Sequence, residues 1–219
     1  MSGHPAYRNY WQRKALLRRS FPRFPVKRWW ETDGLCEIER IYFDAVRDAA
    51  SVLDVGAGDL RVMKKLQAAG YGGEYHTQDI GDGGPWTYGD LSEVRRQYGA
   101  ILCLDVLEHL PLADGISMLQ RLTALLPPGG VLVVQTPNAA YLPDPRSWDM
   151  THVHTYALHD LWALLTVEGL EVTGYRVVLG PEREGPVVSL RTAIQRWVKQ
   201  NVLGCDFANN VAVIARKRA

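Results

Sequence analysis

The chain has 219 residues, of which 47% are hydrophobic and 22% charged, and its formal net charge is +1. This is ordinary globular composition, long for one domain and short for two at the usual ~100–200 residues each. No segment reaches the ~18 consecutive apolar residues of a membrane span, and the opening MSGHPAYRNYWQRK lacks the apolar stretch of a secretory signal.

The net charge hides an asymmetry. Residues 1–30 hold eight Lys or Arg and no acid, so the remainder carries 17 basic against 24 acidic residues, a net of −7. Tyr7, Tyr10, Trp11, Phe21, Phe24, Trp29 and Trp30 are interleaved with these cations. We therefore separate a basic aromatic arm, residues 1–32, from a domain over 33–219 with insertions at about 137–157 and 180–207. Such an arm suits nucleic acid, a phosphate-bearing substrate or an anionic surface. The reading we favour is packing of the aromatics on the acidic body of its own domain.

Within the arm, residues 11–19 read as a short helix broken by Pro22 and Pro25. Leu35, Ile38, Ile41, Tyr42, Ala45 and Val46 recur at helical spacing and predict a helix from Asp33 to about Ala50. Ser51–Val55 is a first strand running into Gly56. A helix over Leu60–Ala69 stops at Gly70. Glu74–Ile80 reads as a second strand and Trp86–Leu91 as a short third. Ala100–Val106 is a fourth, nearly all apolar and so buried on both faces. A helix over Ala113–Leu126 leads to a fifth strand, Val131–Thr136. Then come irregular 137–150, a helix over His159–Glu168, a strand over Glu171–Leu179, a basic amphipathic helix over Ser189–Val202, and a last strand, Asn210–Ala215. Strands alternating with helices, closed by two strands, predict a doubly wound, mostly parallel seven-stranded α/β sheet with the last strand antiparallel. Such sheets bind ligands beyond the carboxyl ends of their strands.

Cys36, Cys103 and Cys205 are scattered, without C-x-x-C spacing. They suit reduced thiols and a cytoplasmic setting better than a disulfide framework or a zinc site. Cys103, inside AILCLDV, reads as a small buried hydrophobe.

The turn after the first strand reads Asp54-Val55-Gly56-Ala57-Gly58-Asp59-Leu60-Arg61. Its two glycines let backbone approach a ligand at a helix N-terminus. A dinucleotide fingerprint needs a third glycine where Arg61 stands. Asp54 and Asp59 would repel a pyrophosphate, yet attract a ligand bearing an ammonium and a sulfonium. Asp79 ends the second strand at the distance where an acid reads ribose hydroxyls. Asp90 ends the third, where a carboxylate can accept from an adenine amine beside the Leu91 amide.

The ordered segments VLDVGAGDLRVMKKL, YHTQDI, YGDL, YGAILCLDVLEHLP and LLPPGGVLVVQTPN resemble the motifs of class I S-adenosylmethionine-dependent methyltransferases. The similarity is greatest to a small-molecule branch with an LEH segment after the fourth strand. It spans about residues 35–180. The resemblance implies S-adenosylmethionine as cofactor and S-adenosylhomocysteine as product. It places Asp54, Gly56 and Gly58 at the methionyl part, Asp79 at the ribose, Asp90 and Leu91 at the adenine, and Asp105 near the methyl.

Methyl transfer to a hydroxyl needs alignment and a base titrating near neutrality. His109, directly after the fourth strand, is the first candidate, followed by His152 and His154 in the stretch after the fifth. Asp105, Glu108 and His109 give D-x-x-E-H, akin to the E-x-x-E-H that binds a divalent ion in some quinone-biosynthesis methyltransferases. A metal is the less favoured reading, and His152-x-His154 has no evident third ligand. After the fourth strand stands Asp105-Val106-Leu107, not the Asn/Asp-Pro-Pro-aromatic tetrad of amine and amide methylation, and no Pro-Cys pair serves cytosine chemistry. A small-molecule or sugar hydroxyl is thus the expected acceptor. An RNA methyltransferase using the basic arm and a noncatalytic methyltransferase-like partner subunit are the alternatives; Arg61 and the acidic loop disfavour a nicotinamide oxidoreductase.

Overall fold

Alternation along the buried strands sorts their side chains between two faces. In the computed structural model, which describes residues 5–20, 22–81, 83–181 and 186–218 without the side chains of Ala6 and 186–189, this produces two apolar layers around one sheet. Phe21 of the arm and Asp82 of the glycine-rich loop lie outside the described residues.

The strands are β1 (Val26–Trp29), β2 (Ser51–Val55), β3 (Glu74–Gln78), β4 (Ala100–Leu104), β5 (Val131–Pro137), β6 (Leu170–Leu179) and β7 (Asn210–Lys217). They lie in the order β1-β6-β7-β5-β4-β2-β3. Only β7 is antiparallel, to both β5 and β6, as the sequence predicts. The helices are α1 (Tyr10–Arg19), α2 (Glu37–Val46), α3 (Arg61–Ala68), α4 (Leu112–Ala124), α5 (Leu158–Val167) and α6 (Pro186–Asn201). None of the described helices is long and apolar enough to cross a membrane.

Leu53, Ile101, Leu132 and Val134 pack under Leu119, Leu122, Leu161 and Leu164 of α4 and α5. Their neighbours Val52, Leu102, Val131 and Val133 point the other way, to Ile38, Tyr42, Val46 and Leu66 of α2 and α3. Burial of side chains this size is worth about 1.5–3 kcal/mol each. Cys103 is buried among these side chains.

Two segments depart from the sequence reading. Trp86–Leu91 is not a strand: only Tyr88 bridges to Gln78. Pro85 and the glycines before it, with the turn at Gly89-Asp90, leave too few extended residues to pair. The seventh strand is instead β1, pairing in parallel with β6 from Val26↔Arg176 to Trp29↔Leu179. Its sequence, Val-Lys-Arg-Trp, lacks apolar alternation because an edge strand tolerates charge. The end of the basic arm is thus part of the sheet. Elsewhere the arm meets acids of the body: Lys27 pairs with Glu37 at 3.0 Å and Arg8 with Glu168 at 3.7 Å.

Candidate active site

β2, β4 and β5 end along one edge, where Val55, Cys103 and Val134 stand in register. The chain leaves β2 through Gly56 (φ 73°) and Gly58 (φ 48°), both left-handed. Gly56 is required twice over: a Cβ there would lie 2.2 Å from Val106 Cγ2. Its N–H and that of Ala57 both donate to the Gln78 carbonyl, clamping the turn to β3. Asp79 fixes the turn from behind, its carboxylate accepting from the N–H groups of Gly58 (2.8 Å) and Gly81 (2.9 Å).

A cavity opens on this turn, lined by Asp54, Gly56, Gly58 and Asp105 from the predicted set. Asp54 is 2% exposed and accepts from Tyr75 Oη at 2.8 Å. Burial, with Asp79 nearby, pushes its carboxyl up to about 7 despite that hydrogen bond. Asp105 adopts φ 55° immediately past β4. It accepts from Gln135 Nε2 at 2.9 Å, while Tyr42 Oη donates to Gln135 Oε1 at 2.7 Å. Burial raises the Asp105 carboxyl too, against that hydrogen bond. Burial disfavours the charged form of both carboxyls, and a cation in the cavity would favour it.

Sequence reasoning missed the opposite wall, formed by Trp29, Glu39, Arg61 and Lys65. Glu39, in α2, accepts from Lys65 Nζ (3.0 Å), Arg61 Nη1 (2.9 Å) and the Cys36 N–H (3.0 Å). Burial opposes its ionisation, but the Cys36 amide and Lys65 outweigh that and hold the carboxyl below its usual range. An acid three residues after the start of an apolar helix was the available signal. Arg61, where a third glycine was sought, begins α3 and stacks on Trp29 with its guanidinium 5.9 Å from the ring centroid.

Asp90 and Leu91 do not line this cavity. Asp90 caps the single turn Leu91–Glu93, its carboxylate accepting from the Ser92 N–H at 2.6 Å. Trp86 lies over the glycine turn and donates to the Gly58 carbonyl at 2.9 Å.

Beyond β4, the turn Leu107–His109 and the segment after β5 converge. The Val153 and His154 N–H groups both donate to the Glu108 carbonyl, at 2.7 and 3.1 Å. This brings His152 to His109, ring centroids 5.1 Å apart. Thr151 Oγ1 spends its proton on Asp149 (2.6 Å), so His109 Nδ1, 2.9 Å from the same oxygen, carries a hydrogen. His152 Nδ1 faces the Pro145 carbonyl at 3.0 Å and carries one as well. In the neutral imidazole this leaves each ring an Nε2 lone pair. Glu108 is 1% exposed, accepts from Thr136 Oγ1 at 3.0 Å, and is pushed by burial and by Asp105 up to about 8. Ligand atoms of Glu108, His109 and His152 lie within 4.8 Å of one another, a set that can hold a divalent ion. The trio differs from the D-x-x-E-H reading in replacing Asp105, which is committed to Gln135, with His152. His154 turns away and packs edge-on against Tyr156, centroids 4.8 Å apart.

Comparison with known proteins bears on the fold. Solved structures sharing the fold include an S-adenosylmethionine-dependent methyltransferase from Archaeoglobus fulgidus, with 18% identity, 97% of this chain and 98% of that one covered, and a TM-score of 0.59. Another is a complex of the Haloferax volcanii Trm112 methyltransferase activator with a methyltransferase, at 9% identity, covering 100% and 99% of the chains with a TM-score of 0.57. The plantazolicin methyltransferase BamL, solved with a triazolic desmethylPZN analogue and SAH, matches at 14% identity over 83% and 84% of the chains, TM-score 0.54. No curated protein matches the sequence. Residues 13–174 match the family described as Methyltransferase domain, and the chain belongs to that family.

Proposed function

We propose that this protein moves the methyl group of S-adenosylmethionine to a hydroxyl of a small molecule, as in the branch with an LEH segment. One observation carries the reading: the Asp54 carboxyl, raised by burial to about 7, lines a cavity beyond β2 where a cationic ligand would favour its ionised form. In this reading Asp54, with the Gly56–Gly58 turn, holds the methionyl end. Asp79 meets the ribose, Asp90 and the Leu91 amide the adenine, and Asp105 lies near the methyl. S-adenosylmethionine supplies an activated methyl and its own leaving group.

The protein's part is alignment and proton removal. Bound there, the cofactor would supply the methyl to the acceptor oxygen with sulfur as the leaving group, and His109 Nε2 takes the hydroxyl proton. Thr151 and Asp149 hold that ring in the tautomer the step requires. His152 flanks the same position, and His154 orients the acceptor.

The first test is calorimetric titration with S-adenosylmethionine. Binding at about micromolar Kd is expected, lost in Asp79→Ala. A folded wild-type protein that does not bind would overturn the reading.

A further inference from the structure

Leu190, Ile194 and Trp197 recur at i, i+4 and i+7, a spacing that gathers them into one stripe on α6. Such a stripe ordinarily packs on a core, yet these three side chains are between 56% and 65% exposed. The helix is held by its other side. At about 3.6 residues per turn, Arg196 and Lys199 project away from the stripe. Lys199 Nζ donates to the Leu142 carbonyl at 3.2 Å and stands 4.1 Å from the Tyr141 ring centroid. The Arg196 guanidinium stands 5.2 Å from that of Phe207. The polar side is thus fastened to the domain, and the apolar side faces outward.

Charge says what it faces. Residues 186–205 hold Arg191, Arg196 and Lys199 and no acid, on a body whose residues 31–219 carry a net −7. Asp206, the next acid along the chain, is taken by Arg176 at 2.8 Å. A second copy laid α6 to α6 would bring like charges face to face. An anionic bilayer answers both features, the stripe entering the boundary between headgroups and acyl chains and the cations facing lipid phosphates. Arg191, exposed beside Leu190, reaches the headgroups. Arg196 and Lys199, a helix diameter away, act from within one Debye length, about 10 Å at 0.1 M ionic strength. The basic helix α1 is also free of acids, but of its large hydrophobic side chains only Trp11 is exposed.

We infer that α6 is a docking helix for an anionic membrane surface, lying along the bilayer with Leu190, Ile194 and Trp197 inserted. It is not long and apolar enough to cross one, so the attachment is peripheral and reversible. Docking carries the candidate active site with it. Tyr141, which holds Lys199, stacks edge-on against Trp148, centroids 5.5 Å apart, in the segment that leads to His152. The inference does not rest on the methyl-transfer reading.

The test is co-sedimentation with vesicles of phosphatidylcholine and phosphatidylglycerol in equal parts, against phosphatidylcholine alone. Wild-type protein pellets with the mixed vesicles at about tenfold lower lipid concentration than with the neutral ones, and salt narrows the gap. Leu190→Ser with Ile194→Ser and Trp197→Ser abolishes binding to both. Because these side chains are exposed, circular dichroism and melting temperature stay those of wild type. Trp197→Ala alone weakens binding about tenfold, the scale of one withdrawn aromatic side chain. Arg191→Gln weakens binding to the mixed vesicles about fivefold and to the neutral ones not at all. Trp11→Ser, on α1, changes neither. Equal pelleting with both vesicles, binding retained by the triple variant, or binding lost in Trp11→Ser overturns the proposal. So does a wild-type dimer in sedimentation equilibrium that the triple variant cannot form, without vesicle binding, which would give the stripe to a second copy.

Discussion

Replacing Asp54 by Asn tests the cation-trap argument directly. A carboxyl moved from 3.8 to about 7 has an ionised form disfavoured by about 4 kcal/mol. If the bound cation requires the ionised form, about a tenth of the protein is competent at pH 6 and about nine-tenths at pH 8. The affinity of wild type for S-adenosylmethionine, divided by that of Asp54→Asn, therefore rises about tenfold over that interval. Taking the ratio cancels titration of the ligand's own amine. The stability sign is opposite. Because the folded carboxyl is raised, the unliganded protein loses stability as pH climbs from about 4 through about 7. Asp54→Asn removes that loss and melts higher than wild type at pH 8, while still accepting the Tyr75 hydroxyl. Calorimetry in buffers of different ionisation enthalpy should show more proton release on binding to wild type than to Asp54→Asn. A flat ratio from pH 6 to 8, or a variant less stable than wild type at pH 8, would refute the reasoning.

Other expectations follow from the same geometry. His109→Ala lowers turnover by about 10²–10⁴, the range of a general base, with cofactor affinity unchanged in calorimetry. Exhaustive chelation leaves turnover intact; loss restored by a divalent ion would assign Glu108, His109 and His152 to a metal instead. Gly56→Ala, meeting Val106 at 2.2 Å from a left-handed backbone, costs about 1–3 kcal/mol in denaturant titrations and weakens cofactor binding with it. Leu132→Ala, at a fully buried position in β5, costs about 2–5 kcal/mol on the same assay.

What the sequence disclosed depended on how local the determinant was. The run Val131–Thr136 can be little but a central strand, and Asp54-x-Gly56-x-Gly58 announces its turn through backbone needs that glycine alone meets easily. Asp105 at the end of β4 was legible for the same reason: an apolar run stops at an acid. The opposite cavity wall was not. Trp29 reaches the site only because β1 joins β6, a pairing across some 150 residues that no local pattern encodes. Glu39 reads as a helix-surface acid until α3 delivers Lys65 and Arg61 to it. The approach of His152 to His109 depends on backbone bonds to the Glu108 carbonyl, which spacing does not reveal.

The placement of Trp29 has a thermodynamic corollary. It belongs to a four-residue strand at the sheet edge, paired on one side only, yet it forms part of the wall of the first cavity. Such edges are the elements that open at low free energy and exchange their amide hydrogens early. A ligand that requires the wall in place contributes its binding energy to the closed strand, by the usual mass-action linkage. Amide protection at residues 26–29 thus becomes a gauge of cavity occupancy, read more than twenty residues in sequence from Asp54 and the glycine turn.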